Sequence, residues 1–161
     1  LRLSGRIADG VILNANHTVE AIRRAVGEVK KGAESVGRTL DDIERVEPIP
    51  MQVTRNKPEA LGRAKPGVAQ KIAQQPHIEG PTGVDPELAR KVKALIPWPG
   101  TERQYQEGAK LISDELAESL GCYGDEDEVR SRLAEYTAAG VTTPIINNPS
   151  RETIDFLARG Y

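Results

Sequence analysis

The sequence has few of the residues that mark a specialised class of protein. Its 161 residues include one cysteine, Cys122, which excludes an internal disulfide framework and suits a reducing compartment. The net charge of −2 shows no excess of one sign, so we expect no nucleic-acid partner. The chain has no signal-peptide pattern and no apolar run of about 18 residues. We therefore expect a soluble, cytoplasmic protein without a membrane partner.

Short apolar runs that alternate with amphipathic helical patterns predict an α/β fold. Strands are expected at 10–14, 46–54 and 142–146, each followed by a helix. Pro48 and Pro50 should interrupt the middle strand, because proline cannot donate to a strand ladder. Strands connected by helices pair in parallel, so these three should be neighbours in chain order with their carboxyl ends on one side.

Capping residues predict where the helices begin and end. Thr18 should begin a helix that Gly37 ends in a left-handed conformation. Asp125 with Glu128 has the spacing of a capping box, and Ser150 should cap the last helix.

The segment between the second and third strands is predicted to be mostly helical. Residues 85–120 should form at least two helices outside the sheet, with Trp98 in the turn between them. The second of these is expected to run from a cap at Thr101 through Leu120. Earlier in the segment, Pro66 and Gly67 should kink or break a helix.

The stretch from Gly5 to His17 holds the most informative pattern in the chain. Its apolar run, 11–13, suits a buried parallel strand, and Asn14 and Asn16 follow at once. In α/β folds, ligands bind at the carboxyl end of a strand, near the loop that leads to the next helix. An ordinary strand–helix corner would explain the pattern as well.

Residues 5–13, Gly-Arg-Ile-Ala-Asp-Gly-Val-Ile-Leu, resemble the sixth strand and its approach in the luciferase-like flavin and deazaflavin oxidoreductases. The nearest branch is that of coenzyme F420-dependent methylenetetrahydromethanopterin reductases. The strands at 46–54 and 142–146 then resemble strands seven and eight. The resemblance implies that 1–161 is a single partial domain, the C-terminal portion of a (β/α)8 TIM barrel, with a helical insertion at 85–120 before the last strand.

The same resemblance implies an oxidoreductase fragment. The expected reaction is hydride transfer between coenzyme F420 and a small organic substrate, with catalytic groups outside this chain, which should be inactive alone. Three alternatives stay open: FMN in place of F420, an FMN-dependent monooxygenase, and a non-catalytic half-barrel module for binding or oligomerisation. We also expect association with a second copy or with an N-terminal barrel half.

Cofactor-binding residues are expected at the carboxyl ends of the strands. The resemblance points to the loop after strand six, and the final strand–helix loop suits a phosphate at a helix N-terminus. His17 is equally well explained as an exposed residue in a first helical turn. The candidates are Asn14, Ala15, Asn16, His17, Asn147, Asn148 and Ser150.

Other chemically distinctive residues carry weaker signals. His77 has no second histidine or cysteine nearby, so we expect no metal site. Cys122 lies between two glycines at an expected helix junction and is interpreted as a buried structural thiol. Arg103 and Lys110 lie on the helical insertion, where they would meet an acidic substrate tail or belong to a solvated helix face.

Overall fold

The computed structural model describes residues 1–13, 18–75 and 84–160. The predictions at 14–17 and at His77 lie outside these residues. The described chain contains short strands and eight α-helices, in the order α1 Arg2–Ile7, β1 Gly10–Ile12, α2 Val19–Glu34, β2 Glu44–Ile49, β3 Met51–Val53, α3 Lys57–Gln74, α4 Pro86–Leu95, α5 Glu102–Ala109, α6 Asp114–Ser119, β4 Cys122–Gly124, α7 Glu126–Ala138, β5 Thr143–Ile146 and α8 Arg151–Ala158.

The main sheet has three parallel strands in the order β1–β2–β5. Gly10 pairs with Glu44 in β2, and Val46 of β2 pairs with Thr143 in β5. The predicted neighbours, order and direction are therefore confirmed. Because all three strands run the same way, their carboxyl ends meet at one edge, which is where a parallel sheet places its ligands.

Pro50 divides the predicted middle strand into β2 and β3, as expected. Its carbonyl accepts a hydrogen bond from the backbone N–H of Cys122 at 2.8 Å, and β3 then pairs in parallel with β4. The strand thus changes its partner from β5 to β4 at the proline. Since proline donates no ladder hydrogen bond, this is a position where the original pairing ends at little cost.

The prediction of three strands was wrong, because it missed β4. The segment was interpreted as a junction between helices, whereas Cys122 pairs with Met51 and Gly124 with Val53. A strand of three residues shows no period of its own, and its pairing is decided by β3. Cys122 is fully buried, which confirms that part of its interpretation.

The helix caps follow the sequence closely. The hydroxyl of Thr18 accepts from the N–H of Ala21, and Asp125 and Glu128 form a capping box. Gly37 has a φ of +75° at the end of α2, as predicted. These contacts are local in sequence, which explains why they could be foreseen.

The helical segment differs from the prediction in two ways. The expected helix over 101–120 is two helices, because the hydroxyl of Ser113 accepts from the N–H of Leu116 and begins α6. In contrast, α3 continues through Pro66, so the expected break does not occur. The two-helix minimum and the position of Trp98 between α4 and α5 are confirmed. The short helix α1 was not predicted.

Two large apolar clusters share the interior. One packs α2, α7 and α8 on the strands, and the other joins α3 to α6. The adjacent residues Cys122 and Tyr123 of β4 belong to the first and second cluster respectively. Alternate side chains of a strand point to opposite faces, so this short strand connects the two clusters.

The amino ends of the strands are joined by hydrogen bonds from Arg45, a buried residue of β2. Its guanidinium donates to the carbonyls of Gly140 at 2.7 Å, of Ile43 at 2.6 Å, and of Leu40. The hydroxyl of Thr142 accepts from the backbone N–H of Arg45 at 2.8 Å. This end of the sheet is therefore tied together by contacts between side chains and backbone.

No helix in the described part of the chain is long and apolar enough to cross a membrane.

Candidate functional site

A cavity of about 470 Å³ lies at the carboxyl end of the sheet, between α3 and the end of β2. We call it the α3 groove. Its described lining comes from the β2–β3 strand, the helix α3, the strand β4 and the loop after β5. The lining residues are Pro48, Pro50, Met51, Gln52, Ala60, Arg63, Ala64, Gly67, Val68, Gln70, Lys71, Tyr123, Asn147 and Asn148.

One face of α3 forms a wall of the groove. Ala60, Ala64 and Gly67 recur at helical spacing along it, and their small side chains leave room beside the strand. A Cβ atom built on Gly67 would have no other atom within 4 Å, apart from its immediate surroundings in the helix. The glycine is therefore not required by packing, and its missing side chain enlarges the groove.

The described lining of the α3 groove carries two cations, Arg63 and Lys71, and no carboxylate. Arg63 is largely exposed and pairs with Glu59 at 2.9 Å. Lys71 is half-buried, and its ammonium has no hydrogen-bond or ion-pair partner among the described residues. The local electrostatic potential should therefore be positive, although the whole chain has a net charge of −2.

Asn147 and Asn148, two of the predicted cofactor ligands, lie at the edge of this groove. Both side chains are exposed, and each amide offers a donor and an acceptor. Asn148 has a φ of +49°, a left-handed conformation that asparagine tolerates better than most residues. The conformation turns the chain sharply between β5 and α8. Their role in cofactor binding stays a prediction.

Ser150, the third candidate in this loop, caps α8 and does not line the groove. Its hydroxyl accepts from the N–H of Thr153 at 3.2 Å. Glu152 in the first turn has its pKa lowered, chiefly by a hydrogen bond from its own backbone N–H and then by the hydroxyl of Ser150. A carboxylate of the protein thus already occupies this helix N-terminus. The expected phosphate role of Ser150 is not tested by this geometry.

Tyr123 lines the groove from β4 and is buried. Burial raises the pKa of its phenol well above the ordinary value, so the hydroxyl stays neutral. Burial likewise raises the pKa of the neighbouring thiol, Cys122, to about 12. Neither group is therefore poised to act as an acid, a base or a nucleophile near neutral pH.

The remaining candidates include four that the structure does not describe and two that lie elsewhere on the helical insertion. Asn14, Ala15, Asn16 and His17 lie outside the described residues, directly after β1. Lys110 pairs with Glu107 at 2.6 Å, and neither Lys110 nor Arg103 is in the described lining. Their interpretation as a solvated helix face is the one that the structure supports.

The sequence reasoning missed the cations of α3. Arg63 and Lys71 were not singled out, although they stand eight residues apart and flank Ala64 and Gly67. Eight residues are close to two helical turns, so the pair shares a face with the small residues between them. That pattern was a usable signal, but only the approach of α3 to β2 gives it a meaning.

The described residues contain no group of three or more histidine, cysteine or acidic side chains placed to hold a metal ion.

A family model for luciferase-like monooxygenases matches residues 1–143, which is most of the chain. The chain belongs to this family. It is 27% identical over 150 residues to the 5,10-methylenetetrahydromethanopterin reductase of Methanopyrus kandleri, covering 92% of the chain and 42% of the reductase. The reductase of the same name from Archaeoglobus fulgidus is 26% identical over 150 residues, with 92% and 45% covered.

Two solved structures that superpose on this luciferase-like chain share its fold. The coenzyme F420-dependent tetrahydromethanopterin reductase of Methanopyrus kandleri superposes with a TM-score of 0.78 at 24% identity, over 98% of this chain and 46% of that one. An F420-dependent secondary alcohol dehydrogenase, solved with an F420–acetone adduct, gives a TM-score of 0.64 at 12% identity, over 96% and 42%. The chain spans less than half the length of these relatives.

Proposed function

We propose that this chain is part of an F420-linked oxidoreductase that transfers a hydride between F420 and a small organic substrate. The observation that carries the proposal is the agreement of two similarities. The chain resembles reductases over 92% of its length in sequence, and over 98% it shares the fold of an F420-dependent reductase. The deazaflavin supplies the hydride chemistry when it is bound, and the protein binds and orients it.

Within that enzyme, the chain would supply the last three strands of a (β/α)8 barrel. Residues 1–161 would form one partial domain, with the helical insertion at 85–120. The parallel order β1–β2–β5 and the common carboxyl edge support this arrangement. Active sites of such barrels lie at that edge, and here the α3 groove opens there. The catalytic groups would come from outside this chain.

The proposed binding residues surround the carboxyl edge. Asn147 and Asn148 would offer amide hydrogen bonds to the cofactor from the loop after β5. Asn14, with Ala15, Asn16 and His17, would act from the loop that follows β1, the strand at the other side of β2. The positive charge of the groove suits a cofactor or substrate that carries an acidic group.

One face of the sheet would pack against the remaining strands of the barrel. Ile12 of β1 and Ile145 of β5 lie on the face that also carries Val46 and Pro48, and they are 59% and 39% exposed. A face this apolar is normally covered. The chain covers 46% of its structural relative, which leaves enough of a barrel to cover it.

A titration with two cofactors tests the proposal. The purified chain is titrated with F420 and, separately, with FMN, and binding is followed by quenching of cofactor fluorescence. We expect saturable binding of F420, no saturable binding of FMN, and no turnover of reduced F420 by this chain alone, because catalysis needs groups held on both sides of the ligand.

Each other outcome identifies an alternative. Saturation with FMN alone would favour an FMN-dependent monooxygenase of the same family. No saturable binding of either cofactor would favour a non-catalytic module, and light scattering would then show whether the chain associates with itself. The chain unfolded in urea serves as the control for non-specific quenching.

A further inference from the structure

We propose that the α3 groove is an anion site that takes a phosphate or carboxylate group of an elongated ligand. Lys71 is its principal cation, and Arg63, which pairs with Glu59, is the second. The identity of the ligand rests on the function proposed above, but the site itself rests only on the residues of the groove.

The state of Lys71 is the first argument. Most lysines and arginines of α3 pair with a carboxylate: Lys57 with Glu118 at 2.6 Å and Lys65 with Asp114 at 2.7 Å, for example. Lys71 is half-buried like Lys65 but has no such partner among the described residues. A half-buried cation without a carboxylate partner among the described residues should attract an anion.

The contrast between cavities is the second argument. The cavity beside Lys57 is lined by five carboxylates, and the cavity between the first turns of α7 and α8 is also lined by five. Two further cavities have at least one carboxylate in their walls. The described lining of the α3 groove has none. In a chain with a net charge of −2, that distribution favours an anionic ligand at this cavity.

The shape of the groove indicates an elongated ligand. Arg63 and Lys71 are separated by about 12 Å along the axis of α3. Ala64 and Gly67 lie between them, and the space beside Gly67 is open. A ligand that lies along the helix could therefore place an acidic group near Lys71 while the rest passes over Gly67 toward the strand ends.

Neutral donors complete the site. Gln52 and Gln70 line the groove, and their side chains have no hydrogen-bond partner among the described residues. Asn147 and Asn148 add two more amides from the loop after β5. Amide N–H groups in the same cavity as a lysine can offer the directed hydrogen bonds that a phosphate or carboxylate accepts.

Inorganic pyrophosphate is the probe for the site, because it is elongated and carries charge at both ends. The purified chain is titrated and the backbone amide resonances are followed by NMR. We expect saturable shifts at Gly67, Lys71 and Asn148. Lys71→Met should weaken binding about tenfold, the loss expected for one charged hydrogen bond, and Lys71→Arg should restore most of it.

Two matched substitutions separate the groove from the rest of α3. Gly67→Leu fills the groove and should abolish saturable binding. Gly62→Leu lies on the same helix, has equally open surroundings and is outside the described lining, so binding should be unchanged. Both changes favour the helix to the same extent, so a difference between them does not report folding. Lys65→Met is the matched control for Lys71→Met.

The outcomes distinguish this inference from the proposed function. Pyrophosphate shifts that are absent, or that persist in Gly67→Leu, overturn the anion site even if F420 binds. Pyrophosphate binding that follows the expected pattern while F420 does not bind leaves the site standing and removes the proposed function.

A last comparison identifies the source of the anion. F420 and a deazaflavin that lacks the phosphate-bearing side chain are titrated into the wild-type chain and Lys71→Met. A loss of affinity for F420 alone assigns the groove to the cofactor side chain. Equal affinities of both proteins for both deazaflavins, with pyrophosphate binding still weakened, assign it to an acidic group of the substrate.

Discussion

The two ends of the β1–β2–β5 sheet differ in whether their polar side chains have hydrogen-bond partners. At the amino ends, the side chains of Arg45 and Thr142 form hydrogen bonds with nearby backbone atoms. At the carboxyl ends, Lys71 and the amides of Asn147 and Asn148 have no such partners among the described residues. A sheet end whose polar groups satisfy one another contributes stability, whereas an end that leaves them available can bind a ligand.

The comparison also explains why the groove can exist in a small domain. The apolar clusters on either side of β4 and the contacts at the amino ends hold the strands in place. The carboxyl ends therefore need not contribute to their own stability, and Asn148 can adopt a left-handed backbone there. The following substitutions test this division, beginning with the largest expected effect.

Removing the guanidinium at the amino end should have the largest effect. Arg45→Met leaves the buried carbonyl of Ile43 and the partly buried carbonyl of Gly140 without their donor, so we expect a loss of about 2–4 kcal/mol in the free energy of unfolding. Urea unfolding followed by circular dichroism measures it. Arg24→Met is the control, because Arg24 is exposed and its partner in the described part of the chain is the exposed Glu20. Equal midpoints for the two variants would contradict a stabilising role for Arg45.

At the carboxyl end, Asn14→Ala should weaken cofactor binding without a comparable loss of stability. In the full-length protein that carries this chain, we expect a loss of roughly 1–3 kcal/mol in the binding free energy of F420, if the change leaves a buried polar partner unsatisfied. The dissociation constants of the variant and its parent decide the matter. If they are equal, Asn14 is removed from the proposed site.

The hydroxyl of Thr142 allows a finer test at the amino end. Thr142→Val keeps the shape of the side chain but removes the acceptor for the N–H of Arg45, so we expect a loss of about 1 kcal/mol in stability. Thr137→Val is the matched control, since its hydroxyl only donates back to Leu133 within α7 and should cost less. Thermal unfolding compares them, and a larger loss for Thr137→Val would reverse the argument.

The smallest effect is expected at Asn148, where two substitutions separate backbone from side chain. Asn148→Ala places an alanine at a φ of +49° and should cost about 0.5–1 kcal/mol of stability. Asn148→Gly relieves the backbone, so the free energy of unfolding should change little. If the amide contacts a ligand, both variants should bind pyrophosphate more weakly. Weaker binding by the alanine variant only would assign the effect to the backbone.

Local signals in the sequence predicted much of the fold. The caps at Thr18, Asp125 and Ser150 and the left-handed Gly37 involve atoms within a few residues of each other. The order of the three strands followed from the helical connections between them. Features that depend on distant partners were missed or mistaken: the strand β4, the break before α6, and the continuity of α3 through Pro66.

The candidate site was predictable in its place but not in its composition. That ligands bind at the carboxyl edge follows from parallel strands alone, and it led to Asn147 and Asn148. Their roles, like those of Ser150 and of residues 14–17, remain predictions. Arg63 and Lys71 were not chosen from the sequence, because their spacing beside Ala64 and Gly67 gains a meaning only once α3 is seen to approach β2.

By itself, the sequence determined the parallel α/β pattern, the helix boundaries set by caps, and the point where Pro50 ends a pairing. Only the tertiary structure decided that Lys71 and Asn148, 77 residues apart, line one cavity. The physical reason is range. Capping and proline effects act through neighbouring backbone atoms, whereas the groove exists because Tyr123 and the helical cluster hold α3 beside the ends of the strands.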